Sequence, residues 1–321
     1  MTVEAPLAKP RGGLAWKIVA GVVTALSLLW VAGLLARAWP MLVERVDEIR
    51  IPLIALGFAF SLVSAVLTFE AFAIFVRRFQ GRRLPFRELA HLYFTAQLLK
   101  HLPGRIWGVG YQWMSGRSAG TLGDWLSANV SHMAVATFFA LWSAWLVMGL
   151  VHGLEWGLIA LVGGLLAYAG GWVLLAHPLL QRGMALPLRR LGSNGLRVLE
   201  DAAQFPVGLR ISIFWVFCAG WLFLYLAWFA YGAAYPALGG MGGVELCAIY
   251  MLAWFVGYIS LVTPSGLGVR ELVFAWLARE YAGDAVALMA IVGRVSLLGV
   301  DVVLGLVFAP FAPRDDAAVK S

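Results

Sequence analysis

Apolar runs broken by short polar segments recur along the whole chain. Runs over 15–38, 51–76, 125–150, 156–176, 211–235, 245–262 and 285–310 each have the length of a membrane-crossing helix, which needs about 20 apolar residues. Two stretches between them, 86–118 and 264–281, are only half apolar and are interrupted by proline and glycine. In the first, Glu88, His91 and Thr95 share one helical face and Tyr93, Gln97 and Lys100 another, until Pro103-Gly104 breaks the pattern. The pattern predicts an all-α polytopic membrane protein with about seven transmembrane helices and two re-entrant or broken elements.

Loop charge orients the runs. Arg77, Arg78, Arg82, Arg83 and Arg87 follow the second run, and Arg182, Arg189, Arg190 and Arg197 follow the fourth. Basic loops stay on the cytoplasmic side. This places the N-terminus inside, loop 39–50 outside and both arginine loops inside, and it requires 86–118 to return to the side it left. Whether 264–281 re-enters or spans is open, as is the side of the C-terminus, where Arg314 and Lys320 balance Asp315 and Asp316.

The order is two runs, an interruption and a run, repeated once. This predicts one transmembrane domain over 15–310 with an internal duplication. Its halves, 15–150 and 211–310, are joined by a span and the basic loop of 151–210. Segments 1–14 and 311–321 are tails. The 178–210 loop is the candidate surface for a cytoplasmic partner.

Composition agrees with the pattern. The chain is 62% hydrophobic and 13% charged, with mean hydropathy +0.84, whereas soluble domains carry about 25% charged residues. The formal charge of +7 sits in loops between apolar runs, which excludes a nucleic-acid surface. Cys218 and Cys247 lie inside apolar runs, away from any disulfide or metal pattern. The sequence contains no HExxH, CxxC, GxSxG or P-loop motif. No metal, cofactor or catalytic residue is expected.

The candidate site is the stretch Thr263-Pro264-Ser265-Gly266-Leu267-Gly268-Val269-Arg270-Glu271. Thr263 as N-cap and Pro264 at the first helical position would start a helix whose positive end suits an anion. Ser265, Gly266 and Gly268 would let backbone approach it, and Arg270 adds a bidentate fork for phosphate. Leu102-Pro103-Gly104-Arg105 is a weaker echo, bringing Lys100, His101 and Arg105. Together these predict a pocket for a lipid phosphate near the cytoplasmic leaflet. Glu70, Glu271, Arg294 and Asp301 form a second polar set, read as a gate. Arg294 and Asp301 are two turns apart and share a face. Sequence neighbours on a helix do not face each other, so Glu271 is expected to pair with Arg294 and not with Arg270. Arg270 has Asp301 or Glu70 as alternative partners, or it snorkels to the interface.

The stretch 263–271, followed by an apolar helix and Ala290-Ile291-Val292-Gly293-Arg294, resembles the flippase-like transmembrane family named for the membrane part of lysylphosphatidylglycerol synthase. Members typically show Pro-Gly-Gly-Leu-Gly-Val-Arg-Glu and a Tyr-Arg pair one helix later. Here Ser265 replaces a Gly and Gly293 replaces the Tyr. Leu102-Pro103-Gly104-Arg105 is similar to the family's first Pro-Gly element. The resemblance implies lipid translocation in a bacterial inner membrane, with a phospholipid or a polyprenyl-phosphate-linked sugar as cargo. Eleven residues follow Pro310, so the synthase's soluble aminoacyl-transferase domain is not expected. Two alternatives stand beside this. One is a membrane-embedded transferase using Glu271 and His101 as acid and base. The other is a membrane anchor for a cytoplasmic enzyme held by the 178–210 loop.

Overall fold

A computed structural model of the chain describes residues 48–80, 84–100, 107–116, 120–177, 204–236, 238–259, 269–280 and 283–313, with Ala36 and Pro40 as isolated positions. The expected first span, the tails and most of the 178–210 loop lie outside the described residues, apart from these positions.

Nine α-helices make up the described chain: α1 (Ile51–Gln80), α2 (Phe86–Leu99), α3 (Trp107–Ser115), α4 (Leu122–His152), α5 (Leu154–Ala176), α6 (Val207–Ala234), α7 (Gly239–Ile259), α8 (Val269–Leu277) and α9 (Gly283–Phe308). A 3-10 turn, Ala309–Phe311, closes α9. Six of the described helices, α1, α4, α5, α6, α7 and α9, are long and apolar enough to cross a membrane. The protein is an all-α polytopic membrane protein.

Local chemistry sets the helix ends. Thr121 and Asp124 form a capping box at the start of α4, with the Thr121 N–H donating to Asp124 Oδ2 over 2.7 Å and the Asp124 N–H to Thr121 Oγ1 over 3.3 Å. Gly153, at φ 141°, makes the tight turn from α4 to α5. The α6–α7 junction is shorter than the sequence suggests. In the sequence Pro236–Gly243 reads as a Gly-rich turn, yet α7 already begins at Gly239. Its glycines serve close approach, because a Cβ on Gly232 would stand 2.7 Å from the Cα of Gly243.

The buried side chains form two apolar cores. One contains Phe69, Phe72, Phe75 and Val76 of α1, much of α2, Trp125 and Ala128 of α4, Ile213 and Phe217 of α6, and Val300 and Leu304 of α9. The other contains Ala140 and Ala144 of α4, Ala227, Trp228 and Tyr231 of α6, Leu246, Tyr250 and Ala253 of α7, Phe274 of α8, and Val286, Met289 and Ala290 of α9. The first core lies toward the end of α1 that carries Arg77 and Arg78. The second lies toward the opposite face, where the Arg50 N–H donates to the Ala234 carbonyl over 3.1 Å and joins the start of α1 to the end of α6. Helices α1, α4, α6 and α9 contribute to both cores. Helices α2 and α3 pack into the first only, and α7 and α8 into the second only.

The two interruptions differ in topology. The α2–α3 hairpin leaves from the arginine end of α1 and returns there, since Gly120, just before α4, lies against the Gln80 side chain. It is re-entrant. Helix α8 instead runs back along α7: Arg270 lies against Gly257, while Phe274 reaches Tyr250 and Trp228. Helix α9 then starts in the second core and ends in the first. Its last turn sits on the start of α2, with Phe308 stacked on Phe94 and the Arg87 guanidinium 5.0 Å from the Phe311 ring. Helix α8 is therefore antiparallel to α7, and the described C-terminal end lies on the arginine face.

Candidate functional site

A cavity of about 440 Å³ lies between the two cores, and every described α-helix except α5 contributes to its wall. The lining is mostly apolar, with polar groups gathered at a few points. From α1 come Ser61, Ser64 and Thr68, which recur at helical spacing on one face. From α2 come Tyr93, Gln97 and Lys100, the face that the sequence pattern picks out. From α4 come Asn129 and His132.

Among the described residues, four charged ones line this space: Lys100, Arg270, Arg294 and Asp301. Glu271 stands beside the arginines, 4% exposed. Its Oε1 is 3.5 Å from Arg270 Nε and 3.7 Å from Arg294 Nη1. These are ion-pair distances, longer than the roughly 2.7–2.9 Å of a close charge-assisted hydrogen bond. Arg270 is 2% exposed, and its guanidinium carbon lies 5.3 Å from the Tyr250 ring centre, a cation–π seat. Its Nη2 is buried and makes no hydrogen bond among the described residues. Gly257 allows this close seating, since a Cβ there would stand 3.0 Å from the Arg270 Cβ.

The second charged point is tighter. Lys100 Nζ lies 2.9 Å from Asp301 Oδ2 and donates to Gln97 Oε1 over 2.8 Å. Lys100 ends the re-entrant α2, and Asp301 is buried in α9. Arg294 and Asp301 do share a face of α9, about 10 Å apart along its axis at 1.5 Å per residue. Each meets a different partner.

Three neutral networks complete the wall. The hydroxyls of Ser61, Tyr231 and Ser296 form a triangle with edges of 3.1, 2.7 and 3.1 Å, tying α1, α6 and α9. Asn129 Nδ2 donates to Gln112 Oε1 over 2.7 Å, tying α4 to α3. His132 Nε2 donates to the Thr68 carbonyl over 3.2 Å. Beyond the cavity, His91 joins the hairpin to the last helix. Its Nδ1–H donates to the Phe308 carbonyl over 2.9 Å, and its Nε2 shares a hydrogen bond with the Tyr111 hydroxyl over 2.7 Å.

Of the residues expected to hold phosphate, Lys100 and Arg270 line the same cavity. His101, Arg105, Thr263, Ser265, Gly266 and Gly268 lie outside the described residues. Of the expected gate, Glu271, Arg294 and Asp301 gather here, with Glu271 paired to Arg294 as expected. Two expectations are corrected. Arg270 and Glu271 do reach each other although adjacent, because a long guanidinium arm can fold back over a neighbour where Cβ vectors diverge. Glu70, half-buried on α1, is not among the described residues lining the cavity, and Asp301 meets Lys100. Sequence reasoning missed Tyr250 and the hydroxyl triangle. The spacing of Ser61, Ser64 and Thr68 was a usable signal for the α1 face. Gly293 also has a physical reason: a Cβ there would stand 2.8 Å from the Trp228 ring, which occupies the space a larger residue would need.

No family model, curated protein or solved structure matches the chain.

Proposed function

We propose that the protein translocates a lipid with a phosphate-bearing headgroup across its membrane, the headgroup passing through the cavity while the acyl chains stay in the bilayer. The observation that carries this reading is the cavity's charge: Lys100, Arg270 and Arg294 line it, with Asp301 the carboxylate on the same wall. Intramembrane charges are expensive and typically mark substrate paths. A buried guanidinium suits a phosphate oxygen. The cavity's 440 Å³ is in the range for a small polar group, well short of a whole lipid. The resemblance of 263–271 to the flippase-like family supports the same reading, as it does a bacterial inner membrane with the arginine loops inside.

The test is translocation of a fluorescent phosphodiester lipid in proteoliposomes, wild type beside Arg270→Ala at matched protein content. The reading expects the variant to lose about tenfold or more in rate, the effect of losing one charge-assisted contact of roughly 1.5–3 kcal/mol. An unchanged rate would remove Arg270 from the site. Lipids retained by each protein through purification, identified by mass spectrometry, give an independent readout.

A further inference from the structure

Where α3 meets α4, the cavity wall is built from amides. Gly108 and Gln112 line it one helical turn apart on α3, and Asn129 lines it from α4. Gly108 seats α3 closely on α2, since a Cβ there would stand 2.9 Å from the Ala96 carbonyl oxygen. Gln112 is 1% exposed. Asn129 uses both of its N–H groups: Nδ2 donates to Gln112 Oε1 over 2.7 Å and to the Trp125 carbonyl over 2.8 Å. The pair is therefore satisfied in one direction only. Asn129 Oδ1 can still accept and Gln112 Nε2 can still donate, and neither atom has a hydrogen-bond partner among the described residues.

A vacant donor bonded to the neighbour of a vacant acceptor discriminates between ligand groups. A phosphate oxygen only accepts, so it suits Gln112 and opposes Asn129. An ammonium only donates, and does the reverse. A hydroxyl does both. Its oxygen can accept from Gln112 Nε2 while its O–H donates to Asn129 Oδ1. A methyl group in the same place does neither and leaves both amides unpaired away from water, which is costly. Resting on the lipid-phosphate reading, we propose that the headgroup carries a hydroxyl beyond its phosphate and that Gln112 and Asn129 recognise it. Arg270 lies in the second core and α3 packs into the first, so the phosphate and the hydroxyl are held by different walls of one cavity. Neither amide titrates in the ordinary pH range, so this selection does not turn on charge.

The probes are dioctanoyl phosphatidylethylene glycol and dioctanoyl phosphatidylpropanol, binding to the full chain in nanodiscs. Both are phosphodiesters of the same charge and nearly the same size. They differ by a terminal hydroxyl in the first where the second has a methyl, so the ratio of their affinities isolates the hydroxyl. The wild type should prefer the hydroxyl lipid by about tenfold, the scale of leaving a buried donor and acceptor unpaired. Gln112→Met keeps the length of the side chain and removes the donor. Asn129→Leu keeps its branching and removes the acceptor. Each should bring the ratio to within about threefold of unity, the residue of one neutral hydrogen bond at most.

Equal affinities for the two probes in the wild type would overturn the hydroxyl site, with water as the partner of the two amides, while leaving the lipid-phosphate reading standing. A wild-type preference unmoved by both substitutions would overturn the assignment to Gln112 and Asn129. Where neither variant folds, the wild-type ratio decides alone: a preference of tenfold supports the hydroxyl site and a ratio near unity overturns it. Binding of neither probe overturns the underlying reading together with this inference.

Discussion

Replacing Gly232 by alanine should destabilise the protein, whereas the same change at Gly170 should not. Gly232 sits where α6 and α7 touch backbone to backbone. An added Cβ would lie 2.5 Å from the Gly239 carbonyl oxygen and 2.7 Å from the Gly243 Cα. Ordinary contact begins near 3.4 Å. The two helices would have to part by the better part of an ångström, and neither contact is the mobile end of a side chain. Overpacking of this kind costs about 1–3 kcal/mol. At Gly170 on α5, an added Cβ meets nothing within 4 Å. There alanine gains helix propensity, about 0.5–1 kcal/mol. Thermal unfolding in one detergent, followed by size-exclusion fluorescence, should separate the variants by several degrees, taking roughly 2–4 °C per kcal/mol for a chain of this size. Melting points within a degree of each other would refute the argument that these glycines exist for helix contact.

Two further predictions concern the charged pair and the chain ends. Lys100→Met should cost about 1–2 kcal/mol and Asp301→Asn less, by the same unfolding assay. The first leaves the buried Asp301 carboxylate without its ammonium, while the second leaves a partly exposed Lys100 that still holds Gln97. The reverse order would sink that asymmetry. Cysteines placed singly at Arg83 and Pro313 in a background without Cys218 and Cys247 should be labelled from the same side of sealed vesicles, because α9 ends on the arginine face. Labelling from opposite sides would overturn the direction assigned to α9.

The long helices were legible because a membrane span writes itself as a continuous apolar run. The face made by Tyr93, Gln97 and Lys100 was legible because helical spacing is local. The start of α7 was not, since glycines spent on helix contact look the same in sequence as glycines spent on a turn. The pairing of Lys100 with Asp301 was beyond reach for another reason: it joins residues far apart in the chain, and no periodicity links them. The direction of α9 was hidden in the same way. Charge balance left the C-terminal side open, and only the packing of Phe308 and Phe311 on α2 decides it.

The placement of the two ion pairs has a mechanical consequence. Lys100 belongs to the re-entrant hairpin, and Glu271 to the α7–α8 unit. Each is latched to α9, through Asp301 and Arg294 respectively. Because the hairpin and the α7–α8 unit sit in different apolar cores, one latch can release while the other stays fastened. The cavity has in effect two doors hung on one post, each facing its own side, and either can swing while the other stays shut.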